Sequence, residues 1–486
     1  MRFPAALIAI LALAACDNRE DDGVVDVAFI GAPSDAFETG LRIGPAAQHI
    51  RAATHQGLVR LNSDGQVVPA IAERWIVTDD GKSYIFRITE FDLPDGSRLT
   101  ANSVRDSLVR TLSRLEGTSL GLDLAKVADV RAMTGRVVEI RLKSAMPGLL
   151  QLLAQPELGI AGEFARTGPL VAARSDDAVN LEVMPPEQRG LPPQQDWEEG
   201  LRSIRFQSVG AEEAAQGFAQ NRYDLMLGGR MQDLPLASTS TFARASVRLD
   251  SAVGLLGFDV VRREGFLASS ENREALALAI DRSSIARALS IEGWNASNRI
   301  VPDDLPATVA RAPARWDGLS LDQRRSRAAQ RTSAWTNANG RAPSISIALP
   351  EGPGSDILFE RLKADLGQVG ITAQRAENRR SADLVLRDRV ARFAGTRWFL
   401  NQFNCKVSPQ VCSEDVDFLV SLSVDAQSPD EEASYLIEAE QSLTSLNYYI
   451  PLGAPIRWAQ VRSDVEGFSE NPWAYHPLFP LTRAPI

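Results

Sequence analysis

The chain predicts an α/β protein of two or three lobes, and three observations lead there. At 486 residues it exceeds what a single hydrophobic core ordinarily organises, so more than one lobe is expected. Between His55 and Val104, short apolar runs are punctuated by tight-turn residues, the pattern of strands joined by hairpins. Further on, Ile345, Ile347 and Leu349 alternate as a strand, Ser355 to Gln368 reads as a helix, and Ile371 opens another strand. That strand–helix–strand unit suits a parallel sheet.

Taken in order, a polar linker leads to a strand over Val24 to Ile30, followed by an irregular Gly/Pro-containing segment. Gly57-Leu58-Val59 runs to Leu61, and Ser63-Asp64-Gly65 supplies a turn in which glycine accepts positive φ. Trp75-Ile76-Val77 is a second strand, Asp79-Asp80-Gly81 a hairpin signal, and Tyr84 to Ile88 an alternating third. A helix follows from Ala101 to Leu115, then a strand pair around Val137 to Leu142. The Pro/Gln-rich stretch Met184 to Gln195 reads as an exposed loop. Leu255 to Val260 is a strand, and Asn272 to Leu289 has helical apolar spacing, with Asp281-Arg282 fixing a helix end. Gly370 stands where a C-cap glycine is needed. Ser428-Pro429-Asp430-Glu431 reads as N-cap serine, first-turn proline and capping-box glutamate of a helix to about Leu446. Tyr449 to Leu452 and then Val465 to Phe468 end the pattern.

The order of these words resembles family 5 extracellular solute-binding proteins, the peptide/nickel/oligopeptide group of ABC importers. The resemblance rests on Gly57-Leu58, Pro69, Ala72-Glu73, Trp75, Asp79 to Gly81, Tyr84, Phe86, Asp95-Gly96 and Leu99-Thr100-Ala101. Arg166-Thr167-Gly168-Pro169-Leu170, Asn221 to Asp224, Asn272 to Arg282 and the closing strings extend it from about residue 24 to the end. It implies a class II periplasmic binding protein-like α/β fold, with two lobes, a hinge and an extra insertion lobe. On that scheme residues 1–16 are a lipoprotein signal peptide through the lipidated cysteine, and 17–48 a linker and the start of lobe I. Residues 49–160 form lobe II (the insertion), 161–256 continue lobe I, 257–455 form lobe III, and 456–486 return to lobe I.

The start of the chain points to a compartment. Arg2, an apolar run from Ala5 to Leu13, and Leu13-Ala14-Ala15-Cys16 have signal-peptide flanks and too short a core to span a bilayer. The ending resembles a bacterial lipobox, with Cys16 as the lipidated residue; an ordinary signal peptide beside an incidental cysteine is the alternative. Asp17 resembles the signal for retention on the inner membrane, so the expected location is its periplasmic face. A net charge of −10 argues against nucleic acid or an anionic membrane surface as partner. With Cys16 lipidated, Cys405 and Cys412 remain, close together in a compartment that permits disulfides. A bridge between them is expected; two free thiols or a soft-metal site is the alternative, with no histidine nearby to complete the latter.

Catalytic chemistry is sought and not found. Gly117-Thr118-Ser119-Leu120-Gly121 has the spacing of a nucleophile elbow, but such an elbow needs a strand before the serine, and here a helix precedes it. The three histidines, His49, His55 and His476, form no metal-ligand spacing. No Walker A or dinucleotide glycine string occurs, so neither a cofactor nor an ATPase function is expected of this chain.

In peptide-binding members of the family an aspartate in the C-terminal lobe pairs with the peptide's ammonium. The matching stretch here, Arg389 to Phe399, holds three arginines and no acid. A buried ammonium needs a carboxylate, so ordinary peptide binding through that contact is not expected. Arg389, Arg392 and Arg397 are instead candidates to receive a carboxylate or phosphate, with Trp398 as a stacking surface; solvent-exposed arginines in an arginine-rich chain are the bland alternative. The resemblance thus implies a monomeric, membrane-tethered protein, not an enzyme, that captures a small polar or peptide-like ligand for an ABC permease and its separate ATPase. An orphan receptor or scaffold lipoprotein of the same fold is the rival, favoured by the missing Asn-x-x-Tyr-Trp element and by Thr89 where a basic residue is usual.

Overall fold

A computed structural model describes residues 23–93, 96–160, 167–237, 246–316 and 318–484. The signal peptide with Cys16, Asp95 of the Asp-Gly turn and Arg166 of the Thr-Gly-Pro turn lie outside the described residues.

Val24–Ile30 is buried along most of its length, and it pairs in parallel with both Ser203–Val209 and Leu225–Arg230. Around it a seven-stranded sheet is ordered Val247–Leu249, Arg457–Val461, Leu225–Arg230, Val24–Ile30, Ser203–Val209, Val179–Val183, Leu170–Arg174. The start, middle and end of the chain therefore build one sheet, lobe I. Lobe III holds five strands ordered Thr372–Arg375, Ser344–Ala348, Leu384–Val390, Gly254–Val260, Tyr449–Gly453. Its parallel unit is the expected one: Ser344–Ala348, helix Pro353–Gln368, then Thr372–Arg375 alongside. Gly370 follows the helix with φ +80°, the left-handed turn a C-cap glycine supplies.

Lobe II is an antiparallel sheet ordered Ala72–Val77, Ser83–Ile88, Val137–Leu142, Val127–Met133. Alternation puts Tyr84, Phe86, Ile88, Val138, Ile140 and Leu142 on one buried face, and helix Ala101–Arg114 covers it with Val104 and Leu108. That helix starts at Thr100, whose side chain accepts from the Ser103 N–H while Ser103 returns a bond to the Thr100 N–H, a closed capping box. The apolar core under this sheet does not stop at the insertion. It runs on to Phe393, Trp398, Phe399 and Phe403, and to helices Glu414–Val424 and Pro429–Leu446 of lobe III.

Three details depart from expectation. Helix Pro45–Thr54 runs across the expected boundary at residue 49 and packs both on Leu170–Arg174 of the first sheet and on the turn Pro156–Leu158. The helical stretch Asn272 to Leu289 is two helices, Ser270–Ala279 and Arg282–Ala288. Asp281 breaks it: its side chain caps the second helix at the Ser284 N–H, while its own N–H donates to Asp365 Oδ2 at 2.8 Å. Arg282 is buried and donates to the Ala277, Ile280, Ser297 and Pro451 carbonyls, a structural role. At helix Pro429–Leu446, Ser428 caps as expected, but the Glu431 carboxylate accepts from the Gln427 N–H at 2.7 Å, one residue before the cap.

The chain crosses between lobes I and III twice, at residues 250–253 and 454–456, each a short stretch between a strand of one sheet and a strand of the other. Two such connections side by side allow rotation while keeping the lobes in register.

Candidate functional site

Beside these crossings lies a cavity of about 590 Å³ walled by all three lobes. Lobe I contributes Phe29, His49, Arg230, Trp458, Trp473 and Tyr475; lobe II contributes Leu61 and residues 154–156; lobe III contributes residues 388–392, Trp398 and Gln402. Each wall has a local reason. Strand Leu225–Arg230 ends in Gly228 and Gly229, and a Cβ on them would lie 2.7 Å from the Phe29 ring and 2.3 Å from the Trp458 ring respectively. Only glycine lets both rings lie against the strand. The register with Arg457–Val461 shifts between Met226 and Gly229, a bulge that re-aims the strand's last residue, Arg230. The Trp458 indole N–H then fixes the corner by donating to the Arg230 carbonyl at 2.8 Å.

The charges in this cavity are unequally served. Asp388 is held by the Arg457 guanidinium at 2.8 Å to one oxygen and 2.9 Å to the other, so lobe I and lobe III are ion-paired at the hinge. Asp250 is buried, accepting from the Asn471 N–H at 2.9 Å and lying 3.2 Å from His476 Nε2. Among the described residues, Arg230 has no hydrogen-bond or ion-pair partner for its guanidinium. Burial lowers its pKa, as does the neighbouring Arg457, with Asp388 and Asp233 pulling weakly the other way. Asp233 is itself pushed up to about 6, chiefly by burial. Arg389 is exposed, and among the described residues its guanidinium has one hydrogen-bond partner, Gln402 Oε1 at 3.3 Å. Desolvation, then Arg387, hold its pKa below the usual value. The Trp398 ring is buried, edge-on to Phe399, and its indole N–H has no partner.

His49 is a structural residue. Its Nδ1 lies 2.7 Å from the Pro45 carbonyl, which only an N–H satisfies, and its Nε2 accepts from the His476 N–H. Burial pushes its pKa down to about 4, and its ring lies against Tyr475 and Phe29. His55 lies beside Thr54, its Nδ1 2.9 Å from the hydroxyl.

Of the four residues singled out in sequence, Arg389, Arg392 and Trp398 line the cavity. Arg397 does not. It precedes Trp398 in helix Thr396–Asn401, and the turn of the helix sends it toward lobe II, where it is buried and donates to the Leu122 carbonyl at 2.9 Å. Arg392 also spends its charge there, 3.4 Å from Asp123 Oδ2 and 3.2 Å from Ser119 Oγ. Asn401 and Gln402 complete the junction, donating to Asp123 Oδ1 and Ser119 Oγ, each at 2.9 Å. Asp123 is fully buried, and burial lifts its pKa to about 6 against the pull of Arg392 and Arg397. Ser119 of the Gly-x-Ser-x-Gly string opens the short helix Ser119–Asp123 and serves only as an acceptor in this junction.

Arg230, Asp388, Arg457 and Trp458 escaped the sequence reading. The paired glycines before Arg230 are the one signal pointing to it, since adjacent glycines at a strand end mark close approach of another group. Behind the same three residues, Arg230, Asp388 and Arg389, lies a second cavity of about 540 Å³, with residues 407–411 along one wall. Those residues fall within a loop closed by a Cys405–Cys412 disulfide, Cα atoms 5.0 Å apart. Among the described residues no three His, Cys, Asp or Glu side chains form a group able to hold a metal ion, and no helix is long and apolar enough to cross a membrane.

The chain matches a model of bacterial extracellular solute-binding proteins, family 5 (middle) over residues 66–382. It is 27% identical over 126 residues to the nickel-binding periplasmic protein of Escherichia coli K12, covering 24% of each chain. It is 33% identical over 121 residues to the probable deoxycholate-binding periplasmic protein YgiS of the same organism, covering 21% of this chain and 23% of that one. The chain thus aligns with about a quarter of each of these relatives. In structure it is similar to Haemophilus influenzae OppA in complex with the peptide RPPGFSPFR, with a TM-score of 0.76 at 15% identity over 94% of this chain and 99% of that one. That likeness is one of fold, and it covers both α/β lobes and the insertion. The three-walled cavity beside a two-stranded crossing and the family match over most of the chain lead to one conclusion: this chain belongs to the family 5 bacterial extracellular solute-binding proteins.

Proposed function

We propose that this protein captures a small polar or peptide-like solute in the three-walled cavity and delivers it to the permease of an ABC importer driven by a separate ATPase chain. One observation carries the reading: all three lobes wall a single cavity of about 590 Å³ next to both interlobe crossings. A solute there touches lobes I and III at once, so it favours the closed arrangement by its differential contacts with the two lobes. Three tryptophans, Trp398, Trp458 and Trp473, border the cavity, and ligand sites are commonly bordered by aromatic side chains. The protein acts as a monomer, tethered through Cys16 to the periplasmic face of the inner membrane.

Mass spectrometry of small molecules released on denaturing the purified protein tests this reading. The expected result is a solute present in stoichiometric amount and missing from Ala154→Trp, which fills the lobe II wall, with circular dichroism showing that the variant is folded. A solute retained by that variant would place binding elsewhere.

A further inference from the structure

The cavity's carboxylates are engaged by the protein, and two of its guanidinium groups are not. Asp388 has Arg457 at 2.8 Å, and Asp250 has the Asn471 N–H and His476. Arg457 already neutralises Asp388, although only Oδ2 of that carboxylate accepts a hydrogen bond from the guanidinium, and each oxygen of Asp250 has a partner. On the cationic side, Arg230 has no hydrogen-bond or ion-pair partner among the described residues, and Arg389 has only the Gln402 amide at 3.3 Å. Both residues line the main cavity and also the adjoining one behind it, so they stand at the waist between the two spaces. Arg230 belongs to lobe I and Arg389 to lobe III. A charge held in a partly dry cleft without a counter-ion is costly, and a guanidinium prefers a planar oxyanion that accepts two parallel bonds.

We propose that the solute is a small organic oxyanion, bearing carboxylate or phosphate, that sits at this waist between Arg230 and Arg389 and needs no ammonium group. The inference rests on the reading that this cavity is the solute site. It adds a reason for closure: without solute neither guanidinium has an ion-pair partner among the described residues, and an oxyanion between them supplies attraction to both. Trp398, whose indole N–H has no partner among the described residues, borders the same space at its buried edge.

The test uses the full mature chain in a thermal-shift and tryptophan-fluorescence screen. The probes are short dicarboxylates, sugar and alkyl phosphates, dipeptides, N-acetylated dipeptides, and the corresponding amines and neutral amides. Carboxylate and phosphate compounds are expected to stabilise the protein, amines and amides to do nothing, and N-acetylation to leave any dipeptide binding unchanged. Arg230→Gln and Arg389→Gln should each weaken oxyanion binding about 10- to 100-fold, the range for losing one charge-assisted contact. Arg230→Lys and Arg389→Lys should recover part of it. Dicarboxylates and phosphates set against each other in the same assay identify which oxyanion is preferred. Neutral or cationic probes that bind equally to wild type and both Gln variants would overturn the oxyanion inference while leaving the cavity's role intact. Oxyanion binding that survives both Gln variants but is lost in Ala154→Trp would overturn it too. Binding by no probe, together with no released solute, would overturn both readings.

Discussion

Lobe III meets its neighbours through two faces drawn from one stretch of chain, residues 389–402, and the two faces treat the same kind of side chain in opposite ways. Toward lobe II, Arg392 and Arg397 are committed: Asp123, Ser119 and the Leu122 carbonyl receive them, and Asn401 and Gln402 close the junction. Behind it an apolar core runs unbroken from the insertion sheet into the helices of lobe III. Toward lobe I, Arg389 meets only Gln402, and Arg230 across the cavity has no hydrogen-bond or ion-pair partner among the described residues. One face is sealed and the other is left with charge to spare. The difference teaches that arginine content says little about a binding site until the partners are counted.

Breaking the sealed face should produce the largest effect. Asp123→Ala removes the carboxylate that pairs with Arg392 and attracts Arg397, and removing one partner of a buried ion pair costs about 3–5 kcal/mol. Denaturant unfolding should register a loss of that order, and a loss below about 1 kcal/mol would mean the junction is not a buried electrostatic seal. A smaller contrast compares the two faces directly. Arg392→Leu should cost about 1–2 kcal/mol by stripping Asp123 of a charged partner, whereas Arg389→Leu should stay within about 0.5 kcal/mol of wild type, as a change that breaks no committed contact does. Equal losses in the two variants would erase the distinction.

The same junction also carries a pH dependence. In the folded chain burial raises the Asp123 carboxyl to about 6 from its ordinary 3.8, over the opposing pull of Arg392, Arg397 and Asn401. The folded state therefore binds this proton more tightly than the unfolded state. The stability so gained is fully present below pH 3.8 and is lost as pH rises through about 6. Asp123→Asn cannot titrate, so the difference in melting temperature between wild type and this variant should change across that window in favour of wild type at the acid end. A difference that stays flat with pH would show that Asp123 titrates normally and that the junction is wet.

Much of the scaffold was legible in the sequence, because periodicity and turn chemistry are local. Val24–Ile30, the alternating strand ending at Ile88, the helix capped by Thr100 and the unit around helix Pro353–Gln368 all follow from apolar spacing, N-caps and glycines. A helix end at Asp281-Arg282 was legible, but the restart of a second helix there and the contact with Asp365, which lies far along the chain, were not. The candidate site was legible only in part. Trp398, Arg389 and Arg392 fall in the segment that the family resemblance marks, but that resemblance does not say which face of helix Thr396–Asn401 looks into the cavity. Arg397 sits next to Trp398 and points to another lobe.

The sequence by itself determined the family, the α/β class and the absence of a free acid in the segment from Arg389 to Phe399, because each is a property of residues close together in the chain. Tertiary structure alone decided which charges are free. Asp388 would have looked available to a ligand's ammonium until Arg457, from the far end of the chain, was found against it at 2.8 Å. Arg230 carries no mark in the sequence, and only the fold shows that no carboxylate among the described residues pairs with it while the Phe29 and Trp458 rings pack on the two glycines before it. Whether a charge is spent or available depends on what lies within a few ångströms of it, and in a chain that crosses twice between lobes those neighbours come from anywhere in the sequence.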